Sequence, residues 1–125
     1  MIVIDTSALI DSLAGPRRSA ALLYSLIDEG ERILMPALVL YEWLRGPRTP
    51  SEIAIQETLF PSEAAIPFST PEAVLSARLY RELRRPRGRE IGIAISACAL
   101  NREAQVWTLN PADFRDIPGL KLRTF

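Results

Sequence analysis

Asp5, Glu42 and Asp113 are the side chains whose types and placement suit chemistry. The chain has no histidine and a single cysteine. A Ser-His-Asp triad, a histidine-ligated zinc site and histidine acid–base catalysis are therefore excluded. Carboxylates, hydroxyls, arginine or a bound metal must do whatever chemistry there is. Glu42 lies within Val39-Leu40-Tyr41-Glu42-Trp43-Leu44, an apolar helical stretch. A carboxylate buried there costs several kcal/mol unless paired or metal-bound. Compensation is expected either from Arg45 or Arg48 or from a metal or substrate. Asp5 directly follows Ile2-Val3-Ile4; it can cap the next helix, or stand at a strand end as a functional acid. An acid so placed also occurs in phosphoaspartate receivers and haloacid-dehalogenase phosphatases, the latter with a second aspartate where this chain has Ser7. Asp113 sits in Thr108-Leu109-Asn110-Pro111-Ala112-Asp113-Phe114, which reads either as a plain Asx-type turn or as a site loop pinned by Phe114 in the core.

Together with Asn110, these acids make an oxygen-only donor set. Hard oxygen ligands with room for water select Mg²⁺ or Mn²⁺ over zinc. Carboxylate clusters of this kind serve phosphoryl chemistry, in which a metal acts on the phosphate and on a water nucleophile.

The elements that must position these residues follow from local pattern. Ile2–Ile4, Arg32–Met35, Ala64–Phe68, Val106–Thr108 and Leu120–Arg123 read as five short strands. Between them, helices are expected over Ala8–Ala14, Arg17–Glu29, Ala37–Arg45, from Thr49 to about Phe60, from Ser69 onward, and over Glu90–Asn101. Thr49-Pro50-Ser51-Glu52 and Ser69-Thr70-Pro71-Glu72 are capping signals with proline at a helix start. The second helix is expected to bury Ala21, Leu22, Leu26 and Ile27. Leu75, Leu79 and Leu83 recur at i, i+4, i+8. Strands alternating with helices predict a parallel α/β sheet covered on both faces. In such sheets ligands bind beyond the carboxyl ends of the strands, where Asp5 and the Asn110–Asp113 turn fall.

The 125 residues read as one domain over 1–125, 48% hydrophobic and 24% charged, with formal net charge zero. No apolar run approaches the ~20 residues of a membrane span, and Met1–Asp11 lacks the basic start of a signal peptide. The lone Cys98 rules out an internal disulfide and fits a reducing cytoplasm; it reads as core packing. Six arginines fall within Arg78–Arg89. Arg78, Arg81 and Arg85 are expected to share a helix face, and with Arg89 to contact RNA or a partner, or else to form a solvated face paired with Glu82.

Ile4-Asp5-Thr6-Ser7-Ala8-Leu9-Ile10-Asp11 resembles the first motif of PIN-domain nucleases, and Leu40-Tyr41-Glu42-Trp43-Leu44-Arg45-Gly46 resembles the second. Ile93–Leu100, Trp107–Phe114 and Ile117-Pro118-Gly119-Leu120 resemble the C-terminal half, so the likeness spans the chain in order. The resemblance implies a PIN-like three-layer sandwich, with a central, mainly parallel five-stranded sheet flanked by helices. It further implies a VapC-type toxin: an Mg²⁺- or Mn²⁺-dependent endoribonuclease, dimeric, and neutralised by a small VapB-type antitoxin. Asp5, Glu42 and Asp113 then carry over as metal-site acids, with Thr6 and Asn110 as supporting polar groups. Family members have an aspartate just before the Ile-Ala-Ile-like run, where this chain has Gly92. Glu90 substitutes only if the helix begins late, because two helical residues are about 200° apart. Without a substitute, the implied alternative is a catalytically impaired PIN fold that still binds RNA or antitoxin.

Overall fold

The computed structural model describes all of residues 1–125. Ile2, Val3 and Ile4 of β1 (Ile2–Ile4) are each 0% exposed. Successive strand residues face opposite sides, so β1 is covered on both faces. It pairs in parallel with β2 (Ile33–Leu34) on one edge and with β3 (Gln105–Trp107) on the other, giving the order β2-β1-β3. Parallel neighbours require long crossovers. α1 (Thr6–Leu13) and α2 (Ala20–Asp28) make the first. α3 (Ala37–Arg45), α4 (Pro50–Leu59), α5 (Thr70–Glu82) and α6 (Glu90–Leu100) lie between β2 and β3.

The five-stranded expectation is corrected to a three-stranded ladder extended by one bridge at each edge. Ala64–Phe68 contributes only Ile66 beside Pro36, and Leu120–Arg123 only Leu122 beside Val106, both in parallel. At the first edge the ladder is confined to Ile66 N–H donating to the Met35 carbonyl at 2.9 Å and Ala37 N–H to the Ile66 carbonyl at 2.8 Å. The ladder stops there because the chain enters α3 at Ala37 and leaves a 3-10 turn, Ser62–Ala64, just before Ile66. At the other edge Val106 donates to Lys121 and receives from Arg123. Phe125 meets the Trp107 ring edge-on just beyond, with centroids 5.5 Å apart.

Helix bounds follow local signals closely. α3 spans the expected residues, entered through Pro36 and left at Gly46. Thr49 caps α4 with a full capping box: its hydroxyl accepts from Glu52 N–H at 3.1 Å and Glu52 accepts from Thr49 N–H at 2.8 Å. α2 starts later than expected, because Arg17 takes a left-handed φ of 56°. Its buried residues are Leu23 and Leu26, whereas Ala21 and Ile27 are exposed. α5 stops at Glu82, with Leu83 in extended backbone. Arg85 therefore leaves the helix and does not share a face with Arg78 and Arg81. In α6 every residue from Ile93 to Ala99 is buried. Cys98 is among them, its thiol pushed up to about 11 by burial.

Glu72, only 3% exposed, ties the start of α5 to the end of α6. It accepts from the Ser69 hydroxyl and N–H and from Asn101 Nδ2 at 3.0 Å. These bonds, the Ser69 hydroxyl foremost and then Asn101, hold its carboxyl below the usual range. A depressed folded-state value means that the stabilisation is present above the unfolded pKa and lost as pH falls through the folded one. Glu72→Gln keeps an acceptor but removes the charge. It should cost about 1–3 kcal/mol at neutral pH and flatten the fall in stability below about pH 4.5. Urea unfolding at neutral and acid pH checks both.

Candidate active site

The chain runs from β1 to β2 on one side and returns to β3 on the other. The crevice at the carboxyl ends of β1 and β3 is therefore the switch point at which open α/β sheets bind ligands. Asp5 is the first residue past β1 and Thr108 the first past β3, one residue earlier than the expected strand end. Asp5 N–H donates to the Trp107 carbonyl at 2.9 Å, which fixes the two strand ends together. Asp5 occupies the N-cap position of α1, yet its side chain makes no capping bond. Its carboxylate, on a residue 8% exposed, is turned inward. Oδ2 accepts from the Thr108 hydroxyl at 2.7 Å and from the Ser7 hydroxyl at 2.9 Å. The same hydroxyl oxygens accept from Asn110 N–H and Leu109 N–H, each at 3.0 Å. The Thr108–Asn110 loop is thereby moored to Asp5.

A cleft of about 460 Å³ opens here, lined among others by Asp5, Thr6, Glu42, Asn110 and Asp113. All three sequence-selected acids and both supporting polar residues thus face one space. Glu42 is half-buried, not desolvated as its apolar neighbours suggested. Thr6 donates to it at 2.6 Å and Arg45, the anticipated ion-pair partner, at 3.3 Å. Arg48 is occupied elsewhere, lying 4.4 Å from the Trp43 ring centroid and donating to the Trp43 carbonyl. Asp113 is exposed at the end of a 3-10 turn, Pro111–Asp113, anchored by buried Phe114.

One expectation is corrected. Glu90 does not line the cleft: α6 begins at Glu90 itself, and its carboxylate instead accepts from Gly88 N–H at 3.1 Å. It borders a separate groove with Phe68, Tyr80 and Arg81. Arg89, grouped in sequence with Arg78, Arg81 and Arg85, stands apart from them: it lines the cleft and is bound to Asp116 at 2.6 and 3.0 Å. Arg78 pairs with Glu82 at 3.8 Å, and neither it nor Arg81 or Arg85 reaches the cleft. Sequence reasoning missed Ser7, Thr108 and the cleft roles of Arg45 and Arg89. Thr108 was expected inside the strand Val106–Thr108, and its place just past β3, matching that of Asp5 past β1, emerges only in the fold.

The donors are oxygens, which fit a hard cation. Asp5 Oδ1 accepts no protein hydrogen bond, and the Asp113 carboxylate has no hydrogen-bond partner. No three acids converge as a ready-made metal cluster. Glu42 is drawn toward Thr6 and Arg45, Asp113 stands on an outer turn, and Gly92 brings no carboxylate from α6. Mg²⁺ nonetheless commonly takes only one or two carboxylates and keeps several waters.

A PIN-domain family model matches residues 2–120. Ribonuclease VapC19 of Mycobacterium tuberculosis is 34% identical over 123 residues, covering 97% of this chain and 98% of the relative. This chain is a PIN-domain protein of the VapC type. Solved structures share the PIN fold at lower identity. A DNA-bound VapBC from Salmonella typhimurium superposes with a TM-score of 0.79 at 20% identity, covering 98% of this chain and 96% of that one. VapBC2 from Rickettsia felis, bound to a promoter DNA fragment, gives 0.78 at 20%, covering 100% and 99%.

Gly92 lines this PIN-domain cleft, and a Cβ built on it meets only the Phe114 ring, at 3.8 and 3.9 Å, which is ordinary contact. A Cβ therefore fits without displacing a neighbour. Glycine in a helix costs about 1 kcal/mol relative to alanine, and an acid in the first turn complements the helix dipole. Gly92→Asp should leave thermal stability equal or higher and tighten Mn²⁺ binding several-fold, with Gly92→Ala as the stability control. Calorimetric titration checks this; unchanged Mn²⁺ affinity would mark position 92 as irrelevant to the metal.

Proposed function

We propose that this PIN domain, acting as one unit over residues 1–125, is the endoribonuclease toxin of a VapBC-type pair. It hydrolyses RNA phosphodiesters with Mg²⁺ or Mn²⁺ held by Asp5, Glu42 and Asp113. One observation carries the reading: a buried Asp5 carboxylate has one oxygen fixed by Ser7 and Thr108 and the other unbonded, in a cleft that Glu42 and Asp113 also line. The kinship with Ribonuclease VapC19 supports RNA as the substrate. When bound, the ion supplies Lewis-acid chemistry, offsetting phosphate charge and acidifying a water. The protein's own residues do the rest. Ser7 and Thr108 orient Asp5, Thr6 and Arg45 fix Glu42, and Asn110 presents an amide at the cleft. The Arg45 guanidinium, half-exposed at the rim, offsets negative charge where a phosphodiester enters.

The VapBC complexes among its structural relatives favour a small VapB-type antitoxin as partner and inhibitor, and the family likeness a homodimer. Location in the cytoplasm accords with the free, buried Cys98, and no helix is long and apolar enough to cross a membrane. Gly92 favours one second reading: a fold that binds RNA or antitoxin but cleaves poorly.

Purified protein should cleave RNA with Mn²⁺ or Mg²⁺ and stop in EDTA. Asp5→Asn keeps an acceptor for both hydroxyls. It should nevertheless lower cleavage by more than the roughly 10–100-fold typical of losing a group outside the ligand set. Cleavage that persists in EDTA or in Asp5→Asn would refute the metal mechanism. RNA binding without cleavage, converted to cleavage by Gly92→Asp, would select the second reading.

A further inference from the structure

Arg89 differs from the other arginines of the Arg78–Arg89 run. Its side chain is only 21% exposed, against 62% for Arg78. Its side-chain hydrogen bonds tie it to the loop after α5 and to the segment that carries Asp113. Nη1 and Nη2 take Asp116 as a fork at 3.0 and 2.6 Å; Nη2 also donates to the Asp113 carbonyl at 2.9 Å, and Nη1 to the Arg85 carbonyl at 3.2 Å. Nε is buried without a partner, so the terminal nitrogens carry the whole attachment. Arg89 is also the residue from which α6 starts. One guanidinium thus staples three things: the loop after α5, the beginning of α6, and the turn that carries Asp113. That turn is closed internally by backbone bonds from Asp113 N–H to the Asn110 carbonyl and from Phe114 and Arg115 N–H to the Pro111 carbonyl, but few contacts tie it to the rest of the cleft. Buried Phe114 anchors its far end and the Thr108 hydroxyl its near end, while the Asp113 carboxylate has no partner of its own.

We infer that Arg89, clamped by Asp116, is a positioning residue that fixes the Asp113 turn against α6 and so sets where the Asp113 carboxylate stands in the cleft. The inference rests on the metal-site reading above, because only there does the position of Asp113 matter. The planar fork is essential. It serves one carboxylate and two carbonyls at once, which a lysine ammonium on a flexible stem does not reproduce. Position 92 brings no carboxylate from α6, and Asp113 is the cleft acid whose backbone is tied to the start of α6 through Arg89.

The test compares wild-type protein with Arg89→Ala, Arg89→Lys, Asp116→Asn and Asp5→Asn. The readouts are Mn²⁺ titration calorimetry, amide hydrogen exchange and thermal unfolding. Arg89→Ala and Asp116→Asn should weaken Mn²⁺ binding about 10–100-fold, the usual effect of removing a group that orients a ligand. Exchange should speed up at residues 110–116 but not in β1 or β3. Arg89→Lys should fall between these and wild type. Asp113→Ala in the Arg89→Ala background should add little, since both act through one position. If Arg89→Ala does not fold, Asp116→Asn decides, because it leaves the arginine in place. Unchanged Mn²⁺ affinity, or unchanged exchange at 110–116, would overturn the role of Arg89 while Asp5→Asn still abolished binding. Wild-type protein that binds no Mn²⁺, or Asp5→Asn that binds it normally, would overturn the metal-site reading and this role with it.

Discussion

The double burial of β1 is the constraint on which the rest depends. Three residues, all without solvent exposure, can be accommodated only at the centre of a sheet with a layer on each face. A central strand that starts the chain needs partners on both edges, and here both are parallel. The chain must therefore leave toward β2, cross over, and come back beside β1 at β3. This return creates the crevice at the strand ends. Asp5 is the first residue that β1 delivers into it, held to Trp107 through its own backbone. Its carboxylate cannot be both buried and unpaired, so Ser7 and Thr108 supply hydroxyls from the two elements that meet there. Strand topology, loop mooring and acid orientation are one arrangement.

What was legible in the sequence was whatever is encoded locally. The bounds of α3 follow from Pro36 and Gly46, and those of α4 from the reciprocal bonds of Thr49 and Glu52. That Asp5 and Asp113 line the crevice was legible because strand ends are legible and ligand sites in such sheets lie beyond them. The edge strands were not legible in their true extent. A short apolar run looks the same whether it makes a ladder or a single bridge; at the Ile66 edge the flanking 3-10 turn and the start of α3 decide, and neither limit is visible in the run itself. Glu42 was read as more buried than it is. α3 carries more apolar residues than the core takes: Val39 and Trp43 are buried, while Tyr41 and Leu44 remain exposed. For a different reason, the tie of Arg89 to the cleft was not legible. Its partner Asp116 lies 27 residues away, and nothing local separates it from its solvated neighbours.

Charge balance explains why arginines border an acidic cleft at all. Asp5, Glu42 and Asp113 share its lining with Arg45 and Arg89. If the cleft takes a phosphodiester and a divalent ion, as proposed, carboxylates alone would repel the former and cations alone would not gather the latter. Each arginine here is engaged with a carboxylate, Arg45 with Glu42 and Arg89 with Asp116. Such pairing lowers the local negative field without filling the open oxygen of Asp5. Glycine at 92 moves the balance in the same direction by withholding one more carboxylate. In the proposed reading, the cleft therefore trades some hold on a divalent ion for easier approach of an anionic chain. The groups that orient the remaining acids, the Ser7 and Thr108 hydroxyls and the Arg89 fork, then bear on catalysis more heavily than they would around a fuller set of ligands.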